Sequence, residues 1–238
     1  MRGQFIFGVS EIHDEPGQAL AARKTQKIIV IGGIARVCWP HAMKKLSLTF
    51  DDGPSPPCTE ALLAVLSYYS VPATFFMIGQ RMRTHDATVR RVEQAGHAIG
   101  NHTRTHRNLC GAPFEAIDHE INRWGHYFRP PGGHYDEGIL EYLRLHEIQL
   151  AMWDADGLDW KLKTADEIVA ILAEQIDMLE GDGGIVLLHD GDSEDLNGNR
   201  WATVEATHRI ISRYRAEGFD FVPLSEVTLP RKPRKVWQ

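Results

Sequence analysis

From residue 44 onward, short apolar runs alternate with amphipathic segments whose apolar positions recur every three or four residues. The first pair is a predicted strand over residues 46–50 and a predicted helix over residues 59–69, which Pro72 ends. In all there are about seven such units, with no linker between them. This alternation predicts a parallel sheet covered by helices, and the unit count favours a single-domain, distorted (β/α) barrel of about seven strands, complete or incomplete.

The same periodicities place the remaining elements. Further strands are predicted over residues 73–78, 149–153, 185–188 and 219–223, and further helices over residues 84–95, 113–127, 136–146, 164–179 and 200–216. Thr164 followed by Glu167 forms a capping box, which predicts that a helix begins there. Phe128 opens a short strand that Pro130 and Pro131 stop.

Composition excludes several classes of partner. The chain has 238 residues, of which 43% are apolar and 24% charged, and its net charge of −6 argues against nucleic acid and anionic membranes as partners. Its three cysteines are scattered and form no C-x-x-C pair, so a cysteine-based zinc or redox site is not expected. The 12 histidines are more informative, because imidazole binds transition metals. We expect a monomer.

The two ends of the chain differ from the middle. Residues 1–43 are interpreted as an N-terminal extension or a wrongly assigned start, residues 44–229 as the single domain, and residues 230–238 as a basic tail. An apolar run over residues 28–35 is too short to span a bilayer. The N-terminus does not resemble a clean signal peptide, which slightly favours the cytoplasm over secretion.

Most residues with catalytic chemistry directly follow a predicted strand. In (β/α) barrels the active site lies at the carboxyl ends of the strands, so we expect these residues to meet. Asp51 and Asp52 follow the first strand, and two adjacent carboxylates repel each other unless a cation or hydrogen-bond donors compensate. The alternative is a solvated acidic turn, since Asp-Gly-Pro is a favourable turn sequence.

His102 and His106 are separated by four residues, a spacing that places two imidazoles on one face of a helical turn, as chelation requires. Together with one aspartate they would form a three-ligand site, which leaves a position open for water, as in catalytic zinc sites. A bound metal lowers the pKa of its water to about 7 and so generates a nucleophile near neutral pH. For the pair alone, a polar loop is the alternative.

Three later segments add further candidates. Arg129 precedes two prolines and two glycines, where it can orient a carboxylate through paired donors or lie in a surface turn. Trp160 follows an acidic stretch, and its aromatic face suits a sugar ring. His189 ends an apolar strand and can act as general acid towards a leaving nitrogen. A lone histidine at a strand end is more often structural, but five such segments together favour catalysis.

Taken in order, the five segments resemble the motifs of the polysaccharide deacetylases with a NodB-homology domain, also called carbohydrate esterase family four. The motifs are TFDDG at 49–53, HTRTH at 102–106, RPPGG at 129–133, DGLDW at 156–160 and LLHD at 187–190. Each is weak alone, but the ordered set is specific and spans residues 44–227. The resemblance implies removal of acetyl groups from an acetylated oligo- or polysaccharide with a divalent metal, usually Zn²⁺, with Co²⁺ or Ni²⁺ as alternatives.

The resemblance also implies a role for each matched residue. Asp51 would be the general base, oriented by Arg129, and His189 the general acid. The backbone N–H of Gly132 would help to bind the oxyanion, and Asp159 would hold either Arg129 or His189. The implied metal ligands are Asp52, His102 and His106. The implied substrate-binding residues are Pro131, Trp160 and Leu187.

Gly132 departs from the family pattern, because many members carry an aromatic residue at that position. The substrate fit beside the oxyanion site is therefore an open point. Two other functions are compatible with parts of the sequence: an O-acetyl esterase on xylan or a small-molecule amidase on the same fold, and a carbohydrate-binding module without catalysis. The complete set of acid, base and ligands argues against the binding module. Chitin oligomers, peptidoglycan and lipo-oligosaccharide precursors all fit as substrates.

Overall fold

A computed structural model describes residues 27–31, 34–38, 44–195, 198–227 and 229. The chain divides into two units, Met1–His41 and Ala42–Gln238. In the first, β1 (Lys27–Ile31) pairs antiparallel with β2 (Ile34–Cys38), and this hairpin contains the apolar run of the predicted extension. The remainder of the predicted extension and the basic tail lie outside the described residues.

The second unit is built on an all-parallel sheet that curls into an incomplete barrel, which confirms the predicted fold. The strands of the sheet lie side by side in the order β7-β6-β5-β4-β3-β9-β8, and β10 pairs with the first two residues of β3. The strands are β3 (Lys45–Asp51), β4 (Ala73–Met77), β5 (Ala98–Asn101), β6 (Tyr127–Phe128), β7 (Gln149–Leu150), β8 (Ala155–Asp156), β9 (Gly183–His189) and β10 (Asp220–Phe221).

Seven α-helices are described in this unit, and they connect the strands. They are α1 (Cys58–Tyr69), α2 (Gly79–Thr84), α3 (Asp86–Gln94), α4 (Phe114–Ile121), α5 (Glu137–Leu145), α6 (Ala165–Asp177) and α7 (Trp201–Ala216). The predicted capping box at the start of α6 is confirmed: Thr164 Oγ1 accepts a hydrogen bond from the Glu167 backbone N–H, and the Glu167 carboxylate accepts one from the Thr164 N–H. None of the helices in the described ranges is long and apolar enough to cross a bilayer.

The two faces of the central strand β3 have different neighbours. Leu48 and Phe50 belong to the core cluster that includes buried residues of α1, α6 and α7. Thr49 and Asp51 alternate with them and therefore point to the opposite face, where they meet the buried side chain of Arg129. This alternation delivers polar side chains to the interior from the middle of a buried sheet.

Helix α4 is shorter than predicted, ending at Ile121 although the pattern predicted a helix as far as residue 127. Asn122 and Arg123 adopt left-handed backbone conformations, with φ of 52° and 54°, which a continuing α-helix does not allow. The side-chain amide of Asn101 donates to the carbonyl of Ile121 at 2.6 Å, so a tertiary contact satisfies the helix end. Asn is one of the residues that favour this left-handed position, so Asn122 is a local stop signal that apolar periodicity alone does not show.

Candidate active site

The predicted site residues meet at the carboxyl ends of the parallel strands. Asp51 ends β3 and His189 ends β9, and the two are register partners on neighbouring strands. Neighbouring strands lie about 4.8 Å apart, so the proposed base and acid begin from adjacent backbone positions. His102 follows β5, and Arg129 follows β6.

Asp52, His102 and His106 converge with their potential ligand atoms within 4.8 Å of one another. The Oδ1 atom of Asp52 lies 3.3 Å from Nε2 of His102 and 3.1 Å from Nε2 of His106. Zinc bonds of about 2.0–2.1 Å in tetrahedral geometry place two ligand atoms about 3.3 Å apart. The spacing therefore fits three ligands around one small cation.

A second observation supports that fit. The buried Oδ1 atom of Asp52 accepts no hydrogen bond of acceptable geometry from the described residues, although two imidazole nitrogens face it. A buried carboxylate oxygen without a donor is costly, and a cation at the shared centre would satisfy it. Because the donors are one carboxylate and two imidazoles, they suit zinc and other divalent transition metals.

The imidazole of His102 is oriented by the backbone. Its Nδ1 donates to the carbonyl of Arg129 at 2.7 Å, which leaves Nε2 as the atom that faces Asp52. Burial favours the neutral ring, but the carboxylates of Asp51 and Asp52 prevail and raise the pKa of His102 above 6.5. Burial raises the pKa of Asp52, but the imidazoles of His102 and His106 lower it further, so that it lies well below 3.8.

The segment that carries the two histidines is a loop and not the helical turn inferred from their spacing. Thr103 and His106 adopt left-handed conformations, with φ of 61° and 60°. Glu120 of α4 anchors this loop: its carboxylate accepts a hydrogen bond from the Thr105 backbone N–H at 2.9 Å and from the Thr105 hydroxyl. The four-residue spacing thus brings the imidazoles together through loop geometry.

Arg129 is fully buried and holds Asp51 from the barrel interior. Its Nη1 donates to Oδ1 of Asp51 at 2.7 Å and to the hydroxyl of Thr49 at 2.8 Å. The remaining donors bind backbone carbonyls, Nε to Ala151 and Nη2 to Met152. The expected paired donation to one carboxylate is therefore wrong, because only one guanidinium nitrogen is available to Asp51.

The surroundings of Arg129 explain how a buried guanidinium is tolerated. The Phe76 ring lies 4.1 Å from Cζ, a cation–π contact, and Trp153 lies on a second side at 5.6 Å. Burial lowers the pKa of Arg129, and the carboxylate of Asp51 opposes that shift. Since arginine remains protonated under all ordinary conditions, the pair is an ion pair whose geometry is fixed on every side.

Asp159 contacts His189, which decides between the two partners that the resemblance left open. Oδ1 of Asp159 accepts a hydrogen bond from Nδ1 of His189 at 2.7 Å, and Oδ2 accepts one from the His189 backbone N–H at 2.8 Å. Burial favours a neutral imidazole, but the carboxylates of Asp159, Asp52 and Asp51 together raise the pKa of His189 to about 10. The contact with Asp159 thus favours the protonated imidazole and engages its Nδ1.

The other predicted residues lie around this centre in different environments. Gly132 has φ of 61°, and a Cβ added there would lie 2.7 Å from Nδ1 of His134, so a larger residue would collide with the imidazole. Pro131 is buried, and Leu187 is buried two residues before His189 on the same face of β9. Trp160 is 53% exposed, so one face of its indole is available to a ligand.

Sequence reasoning assigned no role to three residues that support the site, namely Thr49, Arg81 and Glu120. Buried Arg81 of α2 donates to the backbone carbonyl of Asp52 at 2.8 Å and also contacts the carbonyl of Asp192. Thr49 could have been found, because strand alternation places it on the same face as Asp51. Arg81 and Glu120 could not, since no periodicity links them to the motifs they contact.

Comparison with known proteins finds relatives that share one activity. The polysaccharide deacetylase family model matches residues 40–151. A peptidoglycan-N-acetylglucosamine deacetylase of Bacillus cereus is 33% identical over 205 residues, covering 80% of this chain and 92% of its own length. A chitooligosaccharide deacetylase of Rhizobium leguminosarum bv. trifolii is 35% identical over 202 residues, covering 77% and 91% respectively.

A solved structure gives the same fold. The crystal structure of the Bc1960 peptidoglycan N-acetylglucosamine deacetylase, in complex with a hydroxamate-type benzamide, superposes with a TM-score of 0.71 at 28% sequence identity. The alignment covers 82% of this chain and 92% of that one. The similarity thus extends over nearly the whole of the related structure.

Proposed function

The chain belongs to the polysaccharide deacetylase family, and on that premise we propose that it hydrolyses the N-acetyl group of N-acetylglucosamine units in an oligo- or polysaccharide and releases acetate. The observation that carries the proposal is the pairing of Asp51 and His189 in register on adjacent strands, each held by its own buried partner. Hydrolysis of an amide needs a base for the attacking water and an acid for the leaving nitrogen.

The proposed cation would be held by Asp52, His102 and His106, whose ligand atoms converge as described. When bound there, a divalent metal such as Zn²⁺ polarises a carbonyl as a Lewis acid and makes water more acidic. The chain's own contribution is to hold these three ligands in place: Arg81 fixes the Asp52 backbone, and the Arg129 carbonyl orients His102.

Asp51 acts as the base in this proposal. Its Oδ1 is engaged by Arg129, so the other oxygen is the one that takes a proton from the attacking water. Oδ2 lies 3.8 Å from Nε2 of His102, which places it beside the proposed metal ligands. The Gly132 N–H donates to the oxyanion that forms on the acetyl carbonyl.

His189 acts as the acid. Its Nδ1 proton is committed to Asp159, so Nε2 donates to the nitrogen as the C–N bond breaks and the electron pair moves onto nitrogen. The amine leaves neutral, and acetate is the second product. The raised pKa of His189, about 10, keeps the donor protonated at neutral pH.

Mass spectrometry of defined substrates tests the proposal. Purified protein loaded with Zn²⁺ is incubated with N-acetylated chitooligosaccharides, with peptidoglycan fragments and with O-acetylated xylan, each with and without a chelator. We expect a loss of acetyl groups from at least one N-acetylated substrate, and the chelator should stop it. Release from acetylated xylan alone would reject amide hydrolysis in favour of an esterase, and chelator-resistant activity would reject the metal.

A further inference from the structure

We propose that Thr203, in the first turn of α7, positions the general acid by holding the carboxylate of Asp159 against His189; this inference rests on the proposed amide hydrolysis. Thr203 is 1% exposed, and its hydroxyl donates to Oδ2 of Asp159 at 2.7 Å. The same Oδ2 accepts the His189 backbone N–H, while Oδ1 accepts Nδ1 of the His189 ring. Thr203 touches no reacting atom, so its role is to position the acid.

The contact matters because a carboxylate can rotate about its Cβ–Cγ bond. Two donors from His189 alone leave Asp159 and His189 free to shift together, whereas a third donor from a separate helix fixes the carboxylate plane relative to the barrel. Without the hydroxyl, a fully buried oxygen would lose one of its two partners. The imidazole would then be held less accurately towards the leaving nitrogen.

The start of α7 is itself anchored, so Thr203 has a fixed position from which to act. Buried Arg200 directly precedes the helix, and its Nη1 donates to the backbone carbonyl of Asp159 at 2.9 Å. Its Nε donates to the carbonyl of Gly191, two residues after His189, at 2.8 Å. The start of the helix is thus bonded both to Asp159 and to the segment that follows His189. Asp159 is more than 40 residues away in sequence from Arg200 and from Thr203.

This role has a chemical signature. In amide hydrolysis the C–N bond breaks, its electron pair goes to nitrogen, and the Nε2 proton of His189 moves to that nitrogen, leaving a neutral imidazole whose Nδ1–H still bonds Asp159. A 4-nitrophenolate leaving group is stable as the anion and needs no proton. Misplacing the acid should therefore slow deacetylation of an N-acetyl sugar and spare hydrolysis of 4-nitrophenyl acetate.

The chain offers a matched control one helical turn away. Thr207 is equally buried, and its hydroxyl bonds to the carbonyl of Thr203 at 2.8 Å and not to the acid pair. The experiment compares Thr203→Val, Thr203→Ser and Thr207→Val as full-length, Zn²⁺-loaded proteins. Steady-state kinetics are measured on an N-acetylated chitotetraose and on 4-nitrophenyl acetate, together with thermal unfolding.

We expect Thr203→Val to lower kcat on the oligosaccharide by roughly tenfold with KM unchanged, which is part of the 10²–10⁴-fold that a general acid supplies. Its turnover of 4-nitrophenyl acetate should stay within about twofold of wild type, since no proton is needed there. Thr203→Ser should restore deacetylation, and Thr207→Val should leave both reactions unchanged.

Two outcomes would overturn the inference. Thr203→Val could match Thr207→Val on both substrates, which would show that the hydroxyl does not position the acid. Alternatively, both reactions could fall together with the unfolding temperature, which would make Thr203 a packing residue only. Failure of the proposed function looks different, because the wild-type protein itself would then release no acetate from the oligosaccharide while its ester hydrolysis persists.

Discussion

Removal of the Glu120 side chain should weaken metal binding without touching a ligand. Glu120 is 5% exposed in the last turn of α4, and its carboxylate binds the backbone N–H and hydroxyl of Thr105, one residue before His106. The loop it anchors contains two residues with left-handed φ, so it does not hold this shape by backbone preference. Glu120→Ala releases the loop, and the cation must then reorder it on binding.

The magnitude follows from the bonds that are lost. A hydrogen bond to a charged acceptor contributes about 1.5–3 kcal/mol, and Thr105 is exposed enough for water to recover part of the loss. Losing the equivalent of one to two such hydrogen bonds, each taken at the lower value of about 1.5 kcal/mol, costs about 1.5–3 kcal/mol in total. Since each 1.4 kcal/mol is a factor of ten, Zn²⁺ affinity should fall by about 10–100-fold.

The assay is competition for Zn²⁺ against a chromophoric chelator at fixed pH, with far-UV circular dichroism to measure the folded fraction. Glu115→Ala is the matched control, because Glu115 lies on the same helix and is exposed. Glu120→Gln keeps an acceptor oxygen but loses the charge, so its affinity should lie between those of Glu120→Ala and wild type. A folded Glu120→Ala protein that binds Zn²⁺ within about twofold of wild type would refute the reasoning.

Three further predictions concern the catalytic groups themselves. Asp51→Asn should lower turnover at least about 10²-fold while Zn²⁺ affinity persists, whereas Asp52→Ala should lose metal and activity together; full activity of Asp51→Asn would reject the base assignment. Asp159→Asn removes the carboxylate that stabilises protonated His189, so the alkaline limb of the kcat/KM profile should move to lower pH by about 1–3 pH units, and an unmoved limb would contradict the pairing. Gly132→Ala places a Cβ at a left-handed position and should lower the free energy of unfolding by about 1–2 kcal/mol in denaturant unfolding; a variant as stable as wild type would contradict this.

The sequence predicts those parts of the fold that have a long, regular period. The predicted helix over residues 59–69 differs from α1 by one residue at its start, and the predicted strand over residues 46–50 differs from β3 by one residue at each end, because the apolar spacing of both is clear. Strand β8 has two residues, too few for an alternation to be seen, and it was not predicted. The end of α4 receives a hydrogen bond from the side chain of Asn101, which lies on β5 and is distant in sequence.

The site, like the fold, could be predicted from the sequence only in part. The motif residues follow strands, and the carboxyl ends of parallel strands meet at one edge, so topology alone predicts that they converge. Which carboxylate pairs with which cation depends on side-chain direction, and only the structure assigns Arg129 to Asp51 and Asp159 to His189. The outer supports on α2, α4 and α7 leave no sequence pattern, because each is a single polar residue on a helix.

Backbone strain in this chain is concentrated where the proposed chemistry is. Eight non-glycine residues of the described chain have positive φ. Four of them, Ser70, Asn122, Arg123 and Glu147, lie at or just beyond helix ends, where a left-handed residue is ordinary. The other four lie within the motifs: Asp52, Thr103, His106 and Leu158.

Such conformations cost about 1–2 kcal/mol each and persist only where surrounding contacts determine them. Such contacts are present for three of the four: Arg81 binds the Asp52 carbonyl, the Asn101 side chain accepts from the Thr103 N–H, and the Asp156 carboxylate accepts from the Leu158 N–H. The protein itself therefore holds Asp52, Thr103 and Leu158 in these conformations. Because Arg81 and Asn101 lie outside the five motifs, substituting either of them should alter metal affinity while every motif residue stays in place.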